Sequence, residues 1–209
     1  LHFRELNQFL CKSLNGENYA TGSSIFSGKL QEKLFSDKIR LEQNRDPRYH
    51  AEKFFDAEGS VLPEDKCLLI ENGQLLKVLS DKKTSALYRL PHTGSASGSY
   101  DDIPTLSSAP LRFATDSSDL KSALNGQLAV LVMISAGGDF TSDGNFAAPV
   151  QASFLFDGTN ILGRLPEFSI QSNVYQMLGK DYIGTFDNHS LHFGDFPSQI
   201  QVYRMKVKR

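Results

Sequence analysis

The 209 residues include 40 % hydrophobic and 22 % charged side chains, the balance of a folded globular chain rather than of a disordered or collagen-like one. A formal net charge of −2 supplies no basic field, so the phosphate attraction that dominates nucleic-acid binding has no source and nucleic acid is not an expected partner. The longest apolar run, Leu128 to Ile134, is far short of the roughly 20 residues of a membrane span, so no membrane association is expected either.

Leu1 to Leu14 places Phe3, Leu6, Phe9, Leu10 and Leu14 at helical spacing between polar residues, which predicts one amphipathic helix ending at Asn15-Gly16. Its apolar stripe needs cover, from the chain's own sheet or from a second subunit, so self-association through the helix or an adjacent sheet edge is expected. The numbered chain opens inside this helix without a Met, as a piece of a longer protein would. This stretch carries charges throughout and lacks the pattern of a signal peptide. Two cysteines, Cys11 and Cys67, make no disulfide framework; free buried thiols and a cytoplasmic location are expected.

Cys67 to Ser80 predicts a hairpin turning at Asn72-Gly73, and Ala152 to Gly163 another turning near Asp157-Gly158, because both dipeptides supply the positive φ of tight turns. Ser118 to Leu124 predicts a short helix with a Ser cap, ending at Asn125-Gly126. The strand after it, Gln127 to Ser135, is apolar almost throughout and is expected to be buried on both faces. A second short helix is expected over Asn173 to Leu178. In Ser198 to Arg209, Ile200 and Val202 alternate before the phase shifts to Tyr203, Met205 and Val207, which predicts a bulge near Val202. Loops rich in Gly, Ser and Asp are expected over Gly94 to Ala109 and Ser135 to Asn145. Without strand–helix alternation, the fold class is mainly β (α+β): residues 1–209 as one twisted, antiparallel, barrel-like sheet domain with three or four short helices.

Three groups of residues invite chemistry. His189 and His192 are the one close histidine pair and weak candidates for metal ligands; the polar residues around them fit a solvated loop equally well. Asp56 and Glu58 share a face if extended, as paired acid–base carboxylates would, or else Asp56 bonds local amides in a turn before Gly59. Ser95 to Asp102 lacks the Lys-Ser/Thr and helix start of a phosphate loop and reads as a flexible surface loop. No Gly-x-Ser-x-Gly elbow supports a serine nucleophile.

Several segments, in order, resemble the TldD/PmbA family, the "modulator of DNA gyrase" peptidases. Phe55-Asp56-Ala57-Glu58-Gly59 is similar to its FDxEG motif, Leu69 to Gly73 to the hairpin that follows, and Thr93-Gly94 to its Thr-Gly loop. Gly144-Asn145-Phe146 stands for a Gly-Asp-Phe, and Glu167 to Asn173 resembles a segment ending before a short helix. The resemblance implies that Phe55, Asp56, Glu58, Gly59, Gly73, Gly94, Gly144, Phe146 and Asn173 are structural motif positions, and that the chain corresponds to the C-terminal half of a family member.

Catalytic members of the family carry a helical His-Glu-x-x-x-His and a C-terminal Cys ligand. Neither occurs here: His50 is followed by no His four or five residues later, and the C-terminal region offers His189 and His192 instead. Because activating a zinc-bound water takes three protein ligands, the resemblance implies a non-catalytic subunit or fragment. It would need no cofactor of its own, with zinc expected only in a catalytic partner. A homologous subunit and an extended, unfolded peptide are the implied partners; the alternative is a structural or peptide-binding domain with no role in proteolysis.

Overall fold

The computed structural model describes residues 4–49, 53–107, 110–116, 118–135, 137–187 and 199–208. His189 and His192 lie outside them, as does Phe3. The chain falls into two compact units, one over Leu6–Ala114 and one over Thr115–Arg209 with the first residues of the chain.

The N-terminal unit opens at Leu6, inside α1 (Arg4–Ser13), whose stripe of Leu6, Phe9 and Leu10, continued by Leu14, is buried within the chain. Asn15 does not simply end this helix. Its side chain accepts from the amides of Glu17 and Asn18, so it caps a second helix, α2 (Gly16–Ala20). A four-stranded antiparallel sheet follows in the order β3–β2–β1–β6, from β1 (Leu41–Asn44), β2 (Lys66–Glu71), β3 (Gln74–Leu75) and β6 (Leu111–Phe113). Asn72 and Gly73, both at positive φ (48° and 75°), close the β2–β3 hairpin where the dipeptide predicts it. Leu41, Leu69, Ile70, Leu75 and Leu79 are buried, and Phe26 meets Phe35 edge to face at 5.8 Å. The stretch expected as a loop after Gly94 contains a two-stranded pair, β4 (Ala96–Ser97) with β5 (Thr105–Leu106), and its first residue, Ser95, is buried rather than a surface loop residue. The helix α3 (Lys82–Tyr88) is capped by the Asp81 carboxylate.

The C-terminal unit is built on one long strand, β9 (Asn145–Phe156). Along one edge run β10 (Ile161–Leu165) and β11 (Phe168–Asn173), with β14 (Lys206–Lys208) beyond β11; along the other run β7 (Ala129–Ser135) and β8 (Asp139–Phe140). Pro149 sits opposite the break between β7 and β8, where no ladder on that edge calls for its missing N–H. Phe146, Ala148 and Val150 alternate along β9 into a core with Ile170 and with Met177 of α5 (Val174–Met177).

The helix α4 (Leu120–Leu124) takes its cap from Asp119, not Ser118, and ends at Asn125 in the left-handed region. The strand β12 (Tyr182–Asp187) pairs with β13 (Gln199–Tyr203), and the register shift lies in β12 at Ile183, opposite Val202–Tyr203. The phase change in the last segment arises because β13 and β14 serve different partners, with Arg204 and Met205 between them. Named strands pair antiparallel throughout, in open sheets rather than a closed barrel, and five α-helices are described instead of three or four.

The expectation for β7 was wrong. Val130 is 43 % and Ile134 55 % exposed. Among the described residues β7 pairs with β9 alone, so it is an edge strand.

Candidate functional site

In the N-terminal unit the turn at Phe55–Gly59 is organised by Asp56, which is 2 % exposed. Its Oδ1 accepts from the amides of Glu58 (3.0 Å) and Ser60 (2.7 Å), and its Oδ2 from the amide of Ala96 on β4 (3.2 Å). Gly59, at φ 73°, donates to the Asp56 carbonyl, and Phe55 bridges to Val61. The carboxylate is thus given to backbone amides rather than to acid–base work. Glu58 reaches elsewhere: its Oε2 accepts from the first amide of α3, at Lys82 (2.9 Å), while the Lys82 ammonium donates to the Glu58 carbonyl (2.8 Å). His92 Nε2 stands 3.9 Å from the same Oε2, and ligand atoms of Asp56, Glu58 and His92 all lie within 4.8 Å of one another.

The segment carrying His92 is fixed from beneath by a buried polar network. Ser80 Oγ donates to the Pro91 carbonyl (2.6 Å), and the Ser80 amide donates to Thr93 Oγ1 (2.6 Å). Gln43 Nε2 donates to the carbonyls of Thr93 and Gly94 (both 3.0 Å), and Ser95 Oγ donates to Gln43 Oε1 (2.6 Å). Arg45 Nη2 adds a bond to the Gly94 carbonyl (3.3 Å). Buried networks of this kind rigidify a loop, because any broken link leaves a buried polar group unpaired.

A second set of motif positions meets in the C-terminal unit. Gly144, at φ 82°, accepts the Val174 amide at its carbonyl, and the Phe146 ring packs 4.8 Å from Phe140. Asn173 caps α5, its Oδ1 accepting from the Tyr175 amide while its Nδ2 donates to Asn145 Oδ1 and the Asp143 carbonyl.

Beside β7 lies an apolar groove of about 590 Å³, lined among others by Leu124, Val130, Val132, Phe168, Ile200 and Met205. Its volume is within the usual range of ligand sites, and its wall includes an edge strand with no charge and no Pro, the devices that normally blunt an exposed edge. Both groove and edge escaped sequence reading, since an unbroken apolar run looks the same whether one or two neighbours cover it. His92 escaped too; its one signal is its place directly before Thr93-Gly94.

The described donors do not reproduce the zinc ligand set of a catalytic family member. Cys67 is buried in β2, where desolvation pushes its thiol up, and Cys11 lies on α1; the two are not joined in a disulfide. Among the described residues the one group able to share a cation is Asp56, Glu58 and His92.

Residues 3–208 match the family profile described as the PmbA/TldA metallopeptidase C-terminal domain. An uncharacterized protein of Methanocaldococcus jannaschii is 27 % identical over 162 residues, covering 75 % of this chain and 37 % of its own. The structure of TldE from Thermococcus kodakarensis superposes with a TM-score of 0.77 at 21 % identity, over 99 % of this chain and 48 % of that one. A Bacteroides thetaiotaomicron protein described as a modulator of DNA gyrase gives 0.71 at 18 % identity, over 99 % and 45 %. The chain therefore spans about half or less of the length of these relatives.

Proposed function

As the chain belongs to the PmbA/TldD family, matching its metallopeptidase C-terminal domain almost end to end, we propose that it is a non-catalytic, peptide-holding part of a peptidase system of that type. The observation that carries this is the uncharged edge of β7 with an apolar groove beside it. An extended peptide added to such an edge gains main-chain hydrogen bonds whatever its sequence, while the groove favours apolar side chains. An unfolded polypeptide exposes both features, and a folded one hides them. The ligands that activate water come, in this reading, from a second chain or from the rest of a longer protein, and the system works in the cytoplasm, where Cys11 and Cys67 stay reduced.

Fluorescence anisotropy with a labelled, unstructured apolar peptide tests the proposal. Ile134→Lys places a charge on the open edge and is expected to weaken binding about tenfold, or ~1.4 kcal/mol. Leu87→Lys, on exposed α3, is expected to leave binding unchanged. Equal affinity in the parent and Ile134→Lys would remove β7 from the reading and favour a purely structural domain.

A further inference from the structure

We propose that Asp56, Glu58 and His92 form a binding site for a divalent transition metal of the zinc class, one that clips the Phe55–Gly59 turn to the Pro91–Gly94 segment. This site goes beyond the peptide-holding reading and does not depend on it, and its role is structural.

Asp56 is buried, and its three amide donors orient the carboxylate without neutralising it. Among the described residues neither Asp56 nor Glu58 forms an ion pair with a Lys or Arg; the Lys82 ammonium donates to the Glu58 main-chain carbonyl, and the basic group nearest the Glu58 carboxylate is His92. Buried charges are ordinarily paired or given to a metal, and two carboxylates facing an imidazole leave a place for one cation.

At 3.9 Å, His92 Nε2 and Glu58 Oε2 are too far apart for a hydrogen bond. Two ligands each ~2.1 Å from a shared zinc sit roughly 3–4 Å apart, so a small closing movement completes the set.

The ligands are also supported from around. Metal-binding carboxylates are typically held by further hydrogen bonds. Here Asp56 is held by three amides and Glu58 by the Lys82 amide, and His92 is carried between Pro91 and Thr93, both tied to Ser80. One imidazole nitrogen with two carboxylates suits zinc, iron or nickel better than magnesium or calcium, which take oxygen alone. The partial exposure of His92 leaves room for a water as fourth ligand.

Calorimetric titration of the full chain with zinc is the test, in a background carrying His189→Ala and His192→Ala so that this close histidine pair cannot compete. One zinc per chain is expected, with affinity reduced about tenfold or more by His92→Ala and by Glu58→Gln. Added zinc should also raise the unfolding midpoint of the background protein but not of His92→Ala. Absence of saturable binding, or equal binding by all three proteins, overturns the proposal. If either variant fails to fold, manganese added to the background protein decides by NMR. Selective broadening of the Glu58 and Thr93 amides supports the site, and broadening confined to other residues sinks it.

Discussion

Gly59 and Gly73 form a matched pair on which the packing of the N-terminal unit can be tested. Their backbones are nearly alike, with φ of 73° and 75°. Their surroundings are not. A Cβ on Gly59 would have nothing within 4 Å, whereas one on Gly73 would lie 2.2 Å from the Phe35 carbonyl oxygen and 2.7 Å from that of Ser36. Gly59→Ala therefore bears only the left-handed cost of an L-residue, about 1–2 kcal/mol. Gly73→Ala bears that cost and must also displace a backbone segment that its own groups hold, since its carbonyl accepts from Leu34 and Phe35 and its amide donates to Ile39. Loosening one or two of those bonds adds about 1–3 kcal/mol, for a total of roughly 2–5. Both residues lie in the same compact unit, so urea denaturation followed by one probe reports them on one transition, and the midpoints compare directly if the slopes agree. Equal destabilisation by the two substitutions would refute the close approach at Gly73, and a loss below about 0.5 kcal/mol for both would refute the turn conformations themselves.

Phe9→Asp places a carboxylate in the buried stripe of α1 and should unfold the N-terminal unit, at a cost of about 3–5 kcal/mol, rather than shift an association equilibrium; circular dichroism together with sedimentation separates the two outcomes, and a folded variant of altered oligomeric state would contradict the placement. Burial, with Asp116 adding to it, pushes the Tyr182 hydroxyl up to about 12 despite its 2.6 Å hydrogen bond with Thr185, and burial raises Tyr203 as well. A raised tyrosine keeps its proton longer in the folded state than in the unfolded one. Its share of stability is therefore whole below pH 10 and is lost as pH rises from 10 to 12, about 2–3 kcal/mol for Tyr182. Denaturant midpoints measured across that window should fall accordingly, and a flat profile would contradict the burial of the Tyr182–Tyr203 pair.

Local chemistry was legible in the sequence because its causes are local. Asn72-Gly73 sets two positive φ angles and so a hairpin, Asn125 ends α4 in the left-handed region, and Asn173 caps α5 within a few residues of itself. The amphipathic pattern of α1 demanded a covered face, and the resemblance of ordered motifs to the TldD/PmbA family named the fold from which the sheets follow. What the pattern left open was the identity of the cover. Leu6, Phe9 and Leu10 are buried by the chain itself, while the equally apolar β7 is left on an edge, because burial depends on which strands arrive beside it and not on the strand's own residues. The same holds for the candidate metal site. Asp56 finds the Ala96 amide, and Glu58 finds His92 and α3, only after the turn, the helix and the Thr93-Gly94 loop have packed together. Such convergence of residues distant in sequence is decided by tertiary structure, since no periodicity records which segments will meet.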